Sequence, residues 1–279
     1  MANKVRIMGI LNVTPDSFSD GGKFFDVKIA VAQAKKLIKE GADIIDVGGE
    51  SSGPGSQDVS LKEELRRVIP VIKRIAPFAK KAGIKISIDT YKAEVARQAI
   101  KTGAGVINDV TALRGDSEMA SVAAKAGVPI VLMYSKDPTA RTTRIKKNYK
   151  DVVKTVMEFL KERAEFAVKS GIKKSQIILD PGMGAFVSSE PKYSYEILRR
   201  LREFKVLGFP VLIGTSRKSF LPGKLNARLI PSLIANLVAT KNGAGILRVH
   251  DVAPNKSLLQ AELKRGHATA RCRPQAGAA

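Results

Sequence analysis

The sequence predicts a single closed barrel of eight parallel strands and eight helices, the (β/α)8 or TIM-barrel architecture, on three observations. A unit of basic amphipathic helix, glycine and short apolar strand recurs along the chain. Every strand breaks into polar residues or glycine at the same, C-terminal, end. No low-complexity linker divides the 279 residues, and a barrel of this kind fills about 250 residues as one domain.

The strand-like runs are 5–11, 43–47, 85–89, 105–108, 129–133, 176–180, 210–214 and 245–249. They are short, continuous and rich in Ile and Val, the pattern of parallel strands buried on both faces. Seven are preceded by a glycine: Gly41, Gly83, Gly103, Gly127, Gly171, Gly208 and Gly243. The residue just past a helix C-terminus often needs a positive φ, which glycine adopts cheaply. Between strands the helices are amphipathic. In 148–170, Val152, Val153, Val156, Phe159, Leu160 and Ala164 fall near one stripe with Lys and Glu elsewhere. The runner-up is an open doubly wound sheet; eight regular units favour closure, which removes both sheet edges. The barrel is expected over residues 1–264, with 265–279 a small, polar, basic and poorly ordered tail.

Composition sets the outer limits. Lys and Arg number 48 against 26 Asp and Glu, a net charge of +22, which raises nucleic acid, anionic lipid and anionic substrates as partners. Aromatic residues make up only 5% of the chain and no nucleic-acid-binding module is recognisable, so nucleic acid is not the expected partner. Most of the lysines, as in 35–39 and 146–154, read as solvated helix faces. No run approaches the ~20 apolar residues of a membrane span, and the first nine residues lack the apolar core of a signal peptide. A single cysteine, Cys272, excludes a disulfide scaffold and points to a reducing, cytoplasmic setting.

The chemistry collects at the strand ends, where barrel active sites are built. Asp89, Asn108 and Asp180 close the third, fourth and sixth strands and converge on the mouth. Carboxylates beside an amide suit a polar heterocycle with several N–H donors and a carbonyl. Lys218, Arg248 and His250 come from the last two strands, a sector that often holds phosphate. The mouth therefore reads as acceptors for a heterocycle facing cations for an anionic leaving group. Any one of these residues has a plainer reading: Asp as a helix N-cap, Asp180 before Pro181-Gly182 as a turn former, Ser216-Arg217-Lys218 as a solvated helix start. Eight strands polar at one end is harder to explain that way. Asp46 sits inside the second strand and is expected to orient loops rather than touch substrate. The glycines at 48, 49, 53 and 55 do not have dinucleotide-binding spacing, the two His are far apart, which argues against zinc, and no Ser-His-Asp arrangement can be placed.

The motifs Asn12-Val13-Thr14-Pro15-Asp16-Ser17-Phe18-Ser19-Asp20-Gly21-Gly22, Asp46-Val47-Gly48-Gly49-Glu50-Ser51, Asn108-Asp109-Val110, Asp180-Pro181-Gly182, Ser216-Arg217-Lys218-Ser219 and Arg248-Val249-His250-Asp251-Val252 closely resemble those of the dihydropteroate synthases, over about residues 5–252. The resemblance implies a homodimeric TIM barrel that joins dihydropterin-methyl pyrophosphate to para-aminobenzoate in folate synthesis, with Mg²⁺. It implies that Asp89, Asn108, Asp180, Lys218 and Gly214 hold the pterin, with Met133 on its face and Arg248 stacked near it. It implies that Asn12, Ser52, Arg248 and His250 hold the pyrophosphate, that Asn12 also serves the metal, and that Ser52, Pro54, Ser219 and Phe186 surround the aminobenzoate. Lys218, Arg248 and His250 would be the catalytic groups.

Three departures stand against that pattern. The family usually reads Thr-Arg-Pro-Gly where this chain has Ser52-Gly53-Pro54-Gly55, so an anion-holding Arg is missing. An aromatic residue expected after Gly184 is replaced by Ala185 or shifted to Phe186. A His commonly found after the strand-five Met is here Tyr134. Lys136, Arg141 or Arg144 is expected to stand in for the lost Arg. The alternatives to a synthase are a pterin-binding methyltransferase, against which the first and seventh-strand motifs argue, a pterin-binding relative with an altered amine or lost activity, and a nucleic-acid-binding protein.

Overall fold

The computed structural model describes residues 5–14 and 26–271, with side chains described as far as residue 262. Its strands are β1 (Arg6–Asn12), β2 (Ile44–Gly48), β3 (Lys85–Asp89), β4 (Val106–Asp109), β5 (Ile130–Met133), β6 (Ile177–Asp180), β7 (Leu212–Ile213) and β8 (Ile246–Val249). All ladders are parallel, in the order β6-β5-β4-β3-β2-β1-β8-β7. The ring closes between β6 and β7 through a parallel bridge of Leu179 with Val211 and the Leu179 N–H donated to Pro210 O at 2.9 Å. Eight expected strands are present within one or two residues of their expected bounds.

A helix follows each strand: α1 (Val27–Lys39), α2 (Leu61–Lys81), α3 (Ala93–Thr102), α4 (Met119–Ala126), α5 (Val152–Lys169), α6 (Pro191–Arg199), α7 (Leu229–Lys241) and α8 (Val252–Arg271). The seven glycines singled out above all have positive φ. Helix α5 starts four residues later than the periodicity predicts, because the Asp151 side chain accepts from Lys154 N at 2.9 Å and caps it there. Helix α8 continues past residue 264, where the tail was expected to begin; its Ala, Glu, Leu, Lys and Arg are good helix formers. Residues 272–279 lie outside the described residues.

Side chains alternate along a strand, so each strand feeds two cores. One set, including Ile45, Val47, Ile88, Ile107 and Leu132, packs outward under the helices. Met8, Ile44, Val131, Ile178, Leu212 and Ile246 point inward and plug the lower barrel. The next inward residues in the same parity are Asp46 on β2, Ser87 on β3, Asn108 on β4, Met133 on β5, Asp180 on β6 and Arg248 on β8. The barrel thus changes from apolar to polar within one layer, and that step makes the mouth.

Candidate active site

Arg248 organises the mouth. Its Nε donates to Asp46 Oδ2 at 2.7 Å and its Nη2 to Asp89 Oδ2 at 2.5 Å, while Asn108 Nδ2 donates to the same Asp46 oxygen at 3.0 Å. Asp46 is fully buried. The expectation that it orients loops is therefore wrong: Asp46 keeps the inward parity of Ile44, so it enters the barrel and grips two candidate pterin residues. That parity was readable in the sequence. The remaining oxygen of Asp46 and the hydroxyl of its β3 register partner, Ser87, are buried without partners among the described residues. The floor thus keeps unspent hydrogen-bonding capacity.

On the opposite side Asp180 Oδ1 accepts from Gly182 N at 2.8 Å, and Lys218 Nζ donates to Met183 O at 3.2 Å. Gly182 is obligatory: φ is +67°, and a Cβ there would lie 2.3 Å from Tyr134 O. Gly214 lies beneath, where a Cβ would reach Arg248 Cβ at 3.7 Å and Lys218 Nζ at 4.0 Å. Burial raises the Asp180 pKa, opposed by Lys218 and the Gly182 N–H. Burial lowers that of Lys218 to about 8, opposed by Asp180. Burial likewise raises Asp89, with Arg248 drawing it back. At Arg248 burial works against the charge, but Asp46 and Asp89 outweigh it and the pKa ends above the ordinary arginine value.

Burial, then Arg248 and Arg217, lower the His250 pKa to about 4, which favours its neutral form in the absence of a bound anion. Its Nδ1 lies 3.1 Å from Ser216 Oγ; donation by that hydroxyl would put the ring proton on Nε2. Arg217 is not a solvated helix start. At φ +57° it clamps Asp251 with Nε at 3.0 Å and Nη2 at 2.5 Å. Asn12, Lys36, Arg217, His250 and Asp251 border a cleft of about 410 Å³ beside the mouth. The Asn12 side chain is exposed there and makes no hydrogen bond to a described residue. No three His, Cys, Asp or Glu side chains cluster as a metal site among the described residues. Pro15 to Asp20, from the first motif, lie outside the described residues.

The loops form the second half of the site. Ser52 and Pro54 are half-buried on the loop after β2, and Ser219 is exposed beyond Lys218. Phe186 takes the aromatic place left by Ala185: Lys218 Nζ stands 5.0 Å from its ring centroid, a cation–π distance. Tyr134 faces away from the mouth, with its ring edge-on to Phe159 of α5. Its hydroxyl lies 3.0 Å from that of Tyr149, which donates to Val187 O at 2.6 Å, so the residue in place of the His ties the β5 loop to the β6 loop. Of the three cations expected to replace the missing Arg, Lys136 is spent within its own loop on Asp137, Thr142 and Thr143. Arg144 is exposed. Arg141 alone crosses to the β2 loop, pairing with Glu50 and Asp58. No local or periodic signal marks the buried network behind it, in which Lys92 bridges Glu50 and Glu64.

Residues 8–250 match the pterin binding enzyme family. The dihydropteroate synthase of Clostridium beijerinckii is 45% identical over 261 residues, 91% of this chain and 92% of its own. That of Bacillus subtilis is 43% identical over 272 residues, covering 94% and 90%. Among solved structures, Xanthomonas albilineans dihydropteroate synthase with 4-aminobenzoic acid superposes with a TM-score of 0.87 at 42% identity, covering 95% of this chain and 94% of that one. The same enzyme in complex with 7,8-dihydropteroate gives 0.83 at 41%, covering 95% of each. By sequence, by fold and by the polar layer at its strand ends, the chain belongs to the pterin binding enzymes and, within them, to the dihydropteroate synthases.

Proposed function

We propose that the two halves of the mouth divide the synthase reaction between them. The strand-end residues Asp89, Asn108, Asp180 and Lys218 take the pterin of 6-hydroxymethyl-7,8-dihydropterin pyrophosphate, over Gly214 and against Met133, with Arg248 stacked beside it. The observation that carries this reading is the polar network at the mouth in which Asp46, Asn108, Asp89 and Arg248 are joined by hydrogen bonds. It presents acceptors and donors to a flat heterocycle without reorganisation.

Asn12, Ser52, Arg248 and His250 take the pyrophosphate. Arg248 already shares its charge with two carboxylates, and His250 serves as an N–H donor. The residues present fit Mg²⁺ that arrives with its pyrophosphate: an exposed amide oxygen at Asn12 offers one ligand, and Mg²⁺ commonly keeps few protein ligands beside waters and phosphate. When bound, Mg²⁺ supplies charge neutralisation at the leaving group. Ser52, Pro54, Phe186 and Ser219 surround para-aminobenzoate. The amine nitrogen forms a bond to the pterin methylene carbon, the carbon–oxygen bond to pyrophosphate breaks, and the amine loses a proton. The protein positions the reactants in line and, through the loop after β2, excludes water. The pterin can carry positive charge at the methylene, so bond breaking runs ahead of bond making; pyrophosphate oxygens that do not scramble in the absence of amine would overturn that order.

The homodimer rests on α7, where Ile230, Ile234 and Val238 are exposed at a spacing of four and form one apolar stripe. Sedimentation of Ile234→Arg as a monomer tests it. A cytoplasmic site rests on the single cysteine, which allows no internal disulfide; among the described residues no helix is long and apolar enough to cross a membrane. The purified chain, given pterin pyrophosphate, para-aminobenzoate and Mg²⁺, is expected to release dihydropteroate and pyrophosphate in equal amounts. Tight pterin binding without turnover would overturn the reading.

A further inference from the structure

We infer that Arg141, on the loop after β5, is a positioning residue for the amine half of the reaction. It acts by holding the loop after β2 in place. Arg141 Nη1 donates to the Asp58 carboxylate, and Nη2 donates to the Glu50 carboxylate and to Gln57 O at 3.0 Å. Those three acceptors flank the turn that carries Ser52 and Pro54, so one guanidinium grips the turn on both sides. The next residue adds a backbone contact: Thr142 N donates to Ser52 O at 3.1 Å. Thr142 Oγ1 donates to Ala185 O at 2.9 Å, and Lys136 N donates to Phe186 O at 2.8 Å. The β5 loop therefore fixes Ser52 on one wall and Phe186 on the other.

The grip is anchored in buried charge. Glu50 is 7% exposed, and its second oxygen is held by Lys92, which also donates to Glu64 Oε2 at 2.6 Å. At the base of the loop Arg67 Nη1 donates to Gly49 O at 2.8 Å. Moving the tip away from Arg141 would leave Glu50, in a poorly solvated site, with Lys92 and the Tyr91 hydroxyl at 3.4 Å but without its second cation, which is costly. Both terminal nitrogens of Arg141 are turned onto the loop after β2, and its Nε is buried without a partner among the described residues, so the side chain acts through the loop.

The pterin residues are wired separately. The side-chain hydrogen bonds of Asp89, Asn108, Asp180 and Lys218 run to Arg248, Asp46, Gly182 and Met183, none of them on the β5 loop, whose one bond to these residues is from Tyr134 N to the Asp180 backbone carbonyl. Loss of Arg141 therefore falls on one substrate. This inference rests on the assignment of Ser52, Pro54 and Phe186 to the aminobenzoate.

The test is steady-state kinetics of the full chain and of Arg141→Ala, Arg141→Lys and Glu50→Gln, with pterin binding measured by calorimetry in the same preparations. Arg141→Ala and Glu50→Gln are expected to raise the KM for para-aminobenzoate about tenfold. The KM for the pterin pyrophosphate and the calorimetric pterin affinity should stay within about twofold. Arg141→Lys, which keeps the charge but loses the fork, is expected to recover about half of the loss on a logarithmic scale. Equal rises in both KM values would overturn the inference in favour of general loosening. A rise confined to the pyrophosphate substrate would overturn it in favour of direct anion binding, and so would an unchanged amine KM. A wild-type chain that binds pterin but turns over no amine would instead sink the assigned function.

Discussion

The two halves of the mouth are built by different means. The pterin half stands on strands: parity and register place Asp46, Asp89, Asn108, Asp180 and Arg248, and the apolar layer beneath them holds them there. The amine half stands on loops, and its geometry comes from side chains far apart in sequence: Arg141 on Glu50, Thr142 on Ser52 and Ala185, Tyr149 on Tyr134 and Val187. A strand-borne site inherits its precision from the sheet. A loop-borne site must be given its own ties. All three departures noted in the sequence fall on the loop half or on its ties.

Substitutions should separate the halves. The largest effect is expected from Asp46→Ala, which strips Arg248 and Asn108 of a shared acceptor. Removing one partner of a buried ion pair costs about 3–5 kcal/mol, so the urea midpoint should fall sharply and calorimetric pterin affinity should drop at least a hundredfold. Retained pterin affinity would show that the strand half does not depend on this layer. Phe186→Ala should do the reverse, raising the KM for para-aminobenzoate about tenfold with pterin affinity unchanged; a matching loss of pterin affinity would mean the ring serves Lys218 rather than the amine. Tyr149→Phe removes the hydroxyl that joins Tyr134 to Val187 O. A lost buried hydrogen bond costs about 1–2 kcal/mol, and hydrogen exchange should speed up in the β5 and β6 loops before any change in β1 to β4.

The smallest expected effect is on pH. His250 takes its proton at about 4 in the folded chain against an ordinary value of 6.5. Between those values the unfolded chain holds more protons, so stability falls as pH drops. The contribution is fully present above 6.5 and lost as pH falls through 4. Denaturant midpoints for wild type and His250→Gln at pH 4.5 and 7 should differ by less at the lower pH; parallel profiles would mean the imidazole is not held neutral.

What was legible in the sequence follows the same division. The strands, the glycines that end helices and the convergence of Asp89, Asn108 and Asp180 are local or periodic signals, and they survive in the structure. Asp46 lies two residues before the end of β2, so inward parity and not strand-end position brings it into the mouth. The burial of His250 beside Arg217 and Arg248 is not visible in residue type. Arg141 could be named only as one cation of three, since its contacts span 83 and 91 positions. Nothing periodic records a partner at that distance.

The closure between β6 and β7 has a consequence for how the barrel would come apart. That joint has one bridge and a backbone hydrogen bond from Leu179 to Pro210, whereas β1 and β2 share five register positions. The ring has a zipper end, and amide protons at Leu179 should be the first in the strands to trade with deuterium. Cutting the chain in the connection ahead of Pro210 and joining the old termini would turn that seam into two free ends, making it the place where a circular permutant loses the least.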